Sequence, residues 1–414
     1  MSSPRLLIHG GWVFDPVSGT AAPADVVIDG EHVVEVGPGL DGDTALDATD
    51  HLVTPGFIDC HVHVTLDDVD VLRLIQSPFS LRFFHAVRNL RLTLHAGVTT
   101  VRDAAGADLG VKQAIATGVI DGPEIQIAIA MLSQTGGHAD EWMPSGGCAH
   151  ALWPPYPGCP STVVDGVEEM RRKVRELIRA GADVIKVATT GGVISPCSDP
   201  RRAHLAADEL AVMMAEARAA GVHVMAHAHG TDGIKNAVRA GVRSIEHGVY
   251  LDEEAVEMMV ENETWLVPTL SAPRAILSLA QSGAGITAAT RAKIADVVET
   301  HDASLRLAHA AGVRIAMGTD AGIARHGDNL AELELMHAQG LSAAEALRAA
   351  TTSAAELLGT GDQVGELAPG KRADLVLLNG TEVGVRALSE RVRAVIHRGI
   401  VHLDKTHARA AEYA

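Results

Sequence analysis

Residues 55–64 read PGFIDCHVHV, and the interpretation of this stretch decides the fold. Pro55 and Gly56 punctuate the chain, and a short apolar run follows that closes on two histidines. Strand side chains alternate faces, so His61 and His63 share one side while Val62 and Val64 share the other. Two imidazoles on one face of a strand end make half of a metal site, or else an ordinary polar strand terminus. The rest of the chain decides between these.

Downstream, the pattern that begins here repeats. Ala96-Gly97-Val98, Ala180-Gly181-Ala182, Ala220-Gly221-Val222, Ala240-Gly241-Val242 and Ala311-Gly312-Val313 each end a helical pattern and open an apolar strand. Before Gly181, Val167, Met170, Val174, Leu177 and Ile178 fall on one helical face, with Asp165 placed to cap. Helices alternating with buried strands give parallel βαβ units. Candidate strands lie near 56–64, 97–103, 124–131, 182–189, 222–229, 243–247, 265–270 and 313–319. This predicts a (β/α)8 TIM barrel over 56–362, with its site at the C-terminal strand ends. An open doubly wound sheet is less apt, because no Gly-rich dinucleotide fingerprint follows the first strand. Between strands three and four, MPSGGCAHALWPPYPGCP (143–160) reads as a lid or substrate loop.

Both ends of the chain read differently. Residues 1–55 and 363–414 hold short β segments with turn signals such as Asp29-Gly30. Neither end makes a stable core alone, so one small β-sandwich built from both termini is expected. The α/β chain therefore divides into 1–55, 56–362 and 363–414.

Bulk properties exclude some classes. The 414 residues carry a net charge of -18, which argues against nucleic acid or an anionic membrane as partner. No apolar run approaches the ~18 residues of a membrane span, and residues 1–16 show no secretory signal. Four cysteines are too few for a disulfide framework at this length. Cys148 and Cys159 flank one loop and are candidates to pair, but a reduced, cytoplasmic chain is expected. Histidine, at 21 residues, is the unusual feature.

The polar residues at the expected strand ends form one set. His61 and His63 close the first strand, and Lys186 sits inside the apolar run DVIKVATTGG. His227 and His229 follow in VMAHAHG, His247 in SIEHG, and Asp320 in RIAMGTDAG. Imidazole and carboxylate donors suit zinc and similar divalent ions. An ammonium beside a cation is repelled, whereas a buried lysine tends toward the neutral amine. Such an amine can add carbon dioxide, and the resulting carbamate has two oxygens able to bridge two metals.

These motifs resemble the metal-dependent amidohydrolase superfamily in its dinuclear, carboxylated-lysine form. HVH, VIKVATTGG, AHAHG, IEHG and GTDAG carry the likeness, together with PGKRADLVLL near the C-terminus. SQTGGHAD, GADVIKV and the AHAHG–IEHG spacing are most similar to the zinc Xaa-Pro dipeptidase and ochratoxin-hydrolysing group. The resemblance implies two divalent ions: His61, His63 and Asp320 on the first, His227 and His247 on the second, carboxylated Lys186 bridging. Spacing alone does not choose between His227 and His229; the resemblance favours His227 and leaves His229 near the substrate. It further implies hydrolysis of an amide bond in a dipeptide or N-acyl amino acid by a hydroxide shared between the metals. Asp320 would shuttle the proton to the leaving nitrogen.

On the expected rim, His138 is a candidate for the oxyanion or a substrate carboxylate. Tyr250, Arg325 and His326 are candidates for binding a carboxylate. Asp59, Asp103 and Thr319 are candidates to orient ligands. Alternatives are a non-peptide C–N bond (urea, carbamate or lactam) at the same site, or a catalytically silent binding protein. Deaminases of this superfamily usually hold one metal and lack the lysine. Relatives commonly form homo-oligomers, which is expected here too.

Overall fold

A computed structural model describes residues 4–143, 145–193, 198–281 and 288–406. Among these the strands begin with β1 (Leu6–Asp15), β2 (Thr20–Asp29), β3 (His32–Gly37), β4 (Thr44–Asp47) and β5 (His51–Pro55). Then come β6 (Phe57–Val62), β7 (Val98–Asp103), β8 (Glu124–Ile127), β9 (Met131–Leu132) and β10 (Val184–Ala188). β11 (His223–Ala228), β12 (Ser244–His247) and β13 (Trp265–Val267) follow, and β14 (Leu375–Asn379), β15 (Val392–His397) and β16 (Ile400–Asp404) close the series. The chain forms two compact units.

The first unit comprises Met1–Asp59, Arg91–Thr100 and Gly327–Ala414. Its sheet runs β16-β15-β14-β5-β1-β2-β3, with β4 paired to β1, so strands from both ends of the chain share one sheet. Apolar alternation places Ile8, Val26, Ile28, Val53, Leu375, Leu377 and Ile396 in one buried cluster. β2 and β3 close on the two-residue hairpin announced by Asp29-Gly30, where Asp29 pairs with His32 and Gly30 takes φ 57°.

The second unit comprises Cys60–Leu90 and Val101–His326. It is an α/β arrangement: one sheet ordered β6-β7-β8, another ordered β13-β12-β11-β10-β9. Helices Val167–Arg179, Ala207–Ala219, Thr231–Ala240 and Glu253–Glu261 precede β10, β11, β12 and β13 in turn. The helix before β10 buries Met170, Val174 and Leu177, as its spacing predicts. Gly181 ends that helix at φ 96°, its N–H on the Ile178 carbonyl. The other four glycines of the repeat also take left-handed φ. Asp165 does not cap: Gly166 holds that position, and the Asp165 carboxylate accepts from the Thr135 N–H and hydroxyl instead.

The eighth expected strand differs. Residues 313–319 carry no regular ladder, although the segment is hydrogen-bonded on both sides. Leu266 N–H bonds to the Arg314 carbonyl, while Cys60 N–H bonds to Met317 and Asp320 N–H to His61. A Cβ at Gly318 would overlap Val267 and lie 2.9 Å from the His61 Cβ, so the segment is pressed tightly between its neighbours. Among the described residues no helix is long and apolar enough to cross a membrane.

Candidate metal centre

Polar side chains gather where the strands of the second unit end. His61 lies on β6 with His63 just beyond it, Lys186 on β10, His227 on β11 with His229 just beyond, and His247 ends β12. Asp320 comes from the segment bridged to β6. All seven are buried. His61, His247 and Asp320 bring ligand atoms within 4.8 Å of one another, as do His227, His229 and His247.

The hydrogen bonds on the far side of each ring fix what the near side offers. His61 Nδ1 meets the Glu246 carboxylate at 2.7 Å and His63 Nδ1 meets the Ala105 carbonyl at 2.9 Å. Both partners only accept, so both Nδ1 atoms carry hydrogen and both Nε2 atoms present lone pairs in the neutral rings. Those Nε2 atoms face Asp320 Oδ1 at 3.6 and 3.2 Å. Asp320 Oδ1 is buried without a well-oriented hydrogen bond. Acceptors converging on a buried point are what a cation resolves, so these donors fit a divalent metal. His227 Nε2 donates to the Gly191 carbonyl at 3.2 Å, which leaves Nδ1 as its lone-pair nitrogen. His247 Nδ1 meets Thr269 Oγ1 at 2.7 Å.

The electrostatics divide: the Asp320 carboxylate raises His63 against its burial, while the other four imidazoles are lowered. His227, His229 and His247 are held well below the ordinary histidine range, by burial first and then by neighbouring imidazoles. His61 falls to about 4 through burial and the Lys186 charge, against the pull of Glu246. Neutral rings are the ligating form. Burial also pushes Lys186 down to about 8, despite the nearby Glu246 and Asp320 carboxylates. Burial works to raise the Asp320 carboxyl, but the adjacent His63, His61 and Lys186 outweigh it and hold the group ionised. Three of the ten non-glycine residues with positive φ among the described residues lie here: His247, Thr269 and Asp320, at 73°, 53° and 57°.

The cluster floors a cavity of about 720 Å³, its open mouth included, with walls that include Met131, Leu152, Trp153, Val249, Ile276 and Ile323. His138 and His229 line it too. The His138 ring stacks on His227 with centroids 4.3 Å apart, and a Cβ at Gly192 would overlap that ring. His229 stacks on His247 at 4.9 Å, about as near as His227 at 4.7 Å. Tyr250, Arg325 and His326 are not among the residues lining the cavity. Tyr250 lies under the Arg201 guanidinium at 4.8 Å, Arg325 is exposed, and His326 Nε2 is bonded to the Leu66 carbonyl at 3.1 Å.

Asp103 holds the turn after His63, accepting from Val64 N–H at 2.8 Å and Ala107 N–H at 3.0 Å. Asp59 accepts from Asn329, and Thr319 Oγ1 accepts from Ala321 N–H. The expected lid loop reaches the cluster through Trp153, whose ring lies 4.8 Å from that of His63. Arg82 ties the loop down, donating to the Ala151 carbonyl at 3.1 Å. Cys148 and Cys159 are both free, and Cys197 lies outside the described residues. Glu246, Arg102, Thr269 and His301 are site neighbours that the sequence reading missed. For Glu246 the available signal was its place directly before His247; for the others the pattern offered none.

The amidohydrolase family profile matches residues 52–402. The chain is 36% identical to ochratoxinase of Aspergillus niger over 360 residues, 84% of this chain and 74% of the relative. Among solved structures it is similar to a Xaa-Pro dipeptidase with bound methionine, with TM-score 0.87, 32% identity, and 96% and 99% of the two chains covered. A prolidase complexed with N-methylphosphonate-L-proline superposes with TM-score 0.87 at 36% identity, again over 96% and 99%.

Proposed function

The chain belongs to the amidohydrolase family, and from that membership we propose that it hydrolyses the amide bond of a dipeptide or N-acyl amino acid. That it is a metal-dependent hydrolase follows from the family. The amide substrate is our reading, supported by the prolidase, Xaa-Pro dipeptidase and ochratoxinase neighbours. The observation that carries the metal-dependent chemistry is the convergence of His61 Nε2, His63 Nε2 and Asp320 Oδ1 at the floor of a cavity.

We read the second unit as a closed (β/α)8 barrel in which residues 313–321 serve as the last strand, since they bond to both β13 and β6. The sheet shared by both termini is read as the small β-sandwich, with boundaries near 55 and 362. A cytoplasmic homo-oligomer is the setting we propose.

Within the site, His61, His63 and Asp320 would hold one ion and His227 and His247 the other, with Lys186, carboxylated, between them. Zinc is the proposed metal. When bound, such ions supply a water nucleophile at neutral pH and polarise the scissile carbonyl. Asp320 holds the proton released by that water and passes it to the leaving nitrogen, which an amide requires because its anion leaves poorly. His138, stacked beside His227, donates to the developing oxyanion. His229 stays beside the substrate, and the apolar walls exclude water and take its carbon skeleton.

The test is zinc-reconstituted protein against a library of dipeptides and N-acyl amino acids, with phenylureas and carbamates alongside. Release of a free amino acid, lost with chelator, is the expected result. Turnover confined to ureas or carbamates, or undiminished in metal-free protein, overturns the proposal.

A further inference from the structure

Directly behind His61 lies a buried ion pair that the chemistry above leaves unused. Arg102 of β7 is 2% exposed and Glu246 of β12 is fully buried. Arg102 donates from Nη2 to Glu246 Oε1 at 3.0 Å and from Nε to the Cys60 carbonyl at 2.7 Å. The Ser244 hydroxyl donates to the same Oε1. Glu246 Oε2 faces His61 Nδ1 at 2.7 Å. Burying two charges is costly, and an apolar pair of equal volume usually serves stability as well or better. A role beyond stability is therefore called for.

We propose that Glu246 is a positioning residue that acts through His61 to make one metal position competent, with Arg102 and Ser244 aiming it. The inference rests on the metal-centre reading above. A neutral imidazole has two tautomers, and only the one with hydrogen on Nδ1 turns a lone pair at Nε2 toward Asp320 and Lys186. A carboxylate accepts and cannot donate, so Oε2 at 2.7 Å selects that tautomer. Arg102 and Ser244 occupy Oε1 and fix the carboxylate's rotation, so that Oε2 meets the ring. The same contact makes Nε2 a stronger donor to a cation. Glu246 touches no ring of the position assigned to His227 and His247 in the hydrogen bonds described, so its effect falls on the His61 position.

Glu246→Gln exposes this arrangement. One amide oxygen cannot serve both sides. Facing His61, it turns its NH2 onto the Arg102 guanidinium; facing Arg102, it presents NH2 to Nδ1 and selects the wrong tautomer. Adding Arg102→Met removes that conflict and lets the oxygen return to His61. The experiment strips metal with chelator and measures zinc affinity and stoichiometry by competition with a chromogenic chelator. Melting of each metal-free variant is recorded beside it.

The expected result is about tenfold or more loss of affinity for one of two equivalents in E246Q. Substantial recovery is expected in E246Q/R102M, whatever the metal-free melting temperatures. Unchanged affinity of both equivalents in E246Q, with melting alone lowered, overturns the inference and leaves the metal-centre reading standing. Equal weakening of both equivalents, or no recovery in the double variant, also overturns it. If E246Q does not fold, Ser244→Ala carries the test, with several-fold weaker binding of one equivalent expected and unchanged binding decisive against. Wild-type protein that binds no zinc removes the metal-centre reading itself.

Discussion

His63 Nε2 lies 3.2 Å from Asp320 Oδ1 while His63 Nδ1 is already committed to the Ala105 carbonyl. In the neutral ring the two atoms meet as acceptors inside a buried site, an arrangement that a divalent cation makes favourable. Asp320→Asn is expected to weaken metal binding by at least about tenfold and to slow hydrolysis by about 10³. Elemental analysis and kcat on the same preparation check this. Wild-type rate in the asparagine variant would count decisively against the assigned role.

Lys186 gives a stability prediction with a definite sign. Its folded pKa of about 8 lies below the ordinary 10.5, so between those values the unfolded chain binds more protons. The metal-free protein is therefore penalised fully below pH 8 and relieved as pH rises toward 10.5. Lys186→Met is expected to stabilise metal-free protein by about 1–3 kcal/mol at neutral pH while abolishing activity. Urea denaturation at pH 7 and pH 10 should show the gain shrinking at the higher pH.

At Gly192 the constraint is spatial. A methyl group there would overlap the His138 ring, which is itself stacked on His227. Gly192→Ala should displace His138 and lower kcat by about 10²-fold, with the melting temperature nearly unchanged. A rise in KM alone would point to substrate binding as the function of this histidine.

Trp153, in the loop of residues 143–160, packs its ring against His63 and lines the cavity. Trp153→Ala is expected to raise KM by about tenfold through lost apolar contact, with kcat less affected. Steady-state kinetics over a substrate series separates the two parameters.

In the first unit, Asp374 accepts from His397 Nδ1 at 2.8 Å and from Arg372 Nε at 2.8 Å. Burial alone would raise its carboxyl, but His397 and Arg372 bring it down to about 2 from the ordinary 3.8. Because the folded value is the lower one, this stability is fully present above pH 3.8 and drains away as pH falls through 2. Asp374→Asn should cost about 2 kcal/mol at pH 7 and flatten the acid limb of the stability curve. Denaturant midpoints at pH 7, 4 and 3 provide the measurement.

The strand-end residues His61, His63, Lys186, His227, His247 and Asp320 were readable because each interrupts an apolar run at a point the strand period marks. The glycines of the repeat were readable because left-handed φ is a local demand. Arg102 was not: it looks like an ordinary charged residue in its own strand, and it meets Glu246 144 positions away. His301 hides in a long helix, Ala288–Ala310, whose sequence gives no sign that it reaches the His247 carbonyl. Loop geometry was equally opaque: Tyr250, Arg325 and His326 were expected on the rim, and the residues lining the cavity do not include them. Residues 313–319 have the composition of a strand, yet they make isolated backbone bonds to both neighbours and not a regular ladder.

The pairing of β5 with β14 has a consequence for biosynthesis. Thr54 bonds to Val376, 322 positions later, so β5 receives this neighbour only after the whole intervening stretch has been translated. Until then the nascent chain carries an unpaired, apolar edge outside the ribosome, the kind of surface that chaperones bind and that seeds aggregation. Recombinant yield should therefore respond to translation speed and chaperone supply. Products of premature termination ahead of residue 375 should collect in inclusion bodies.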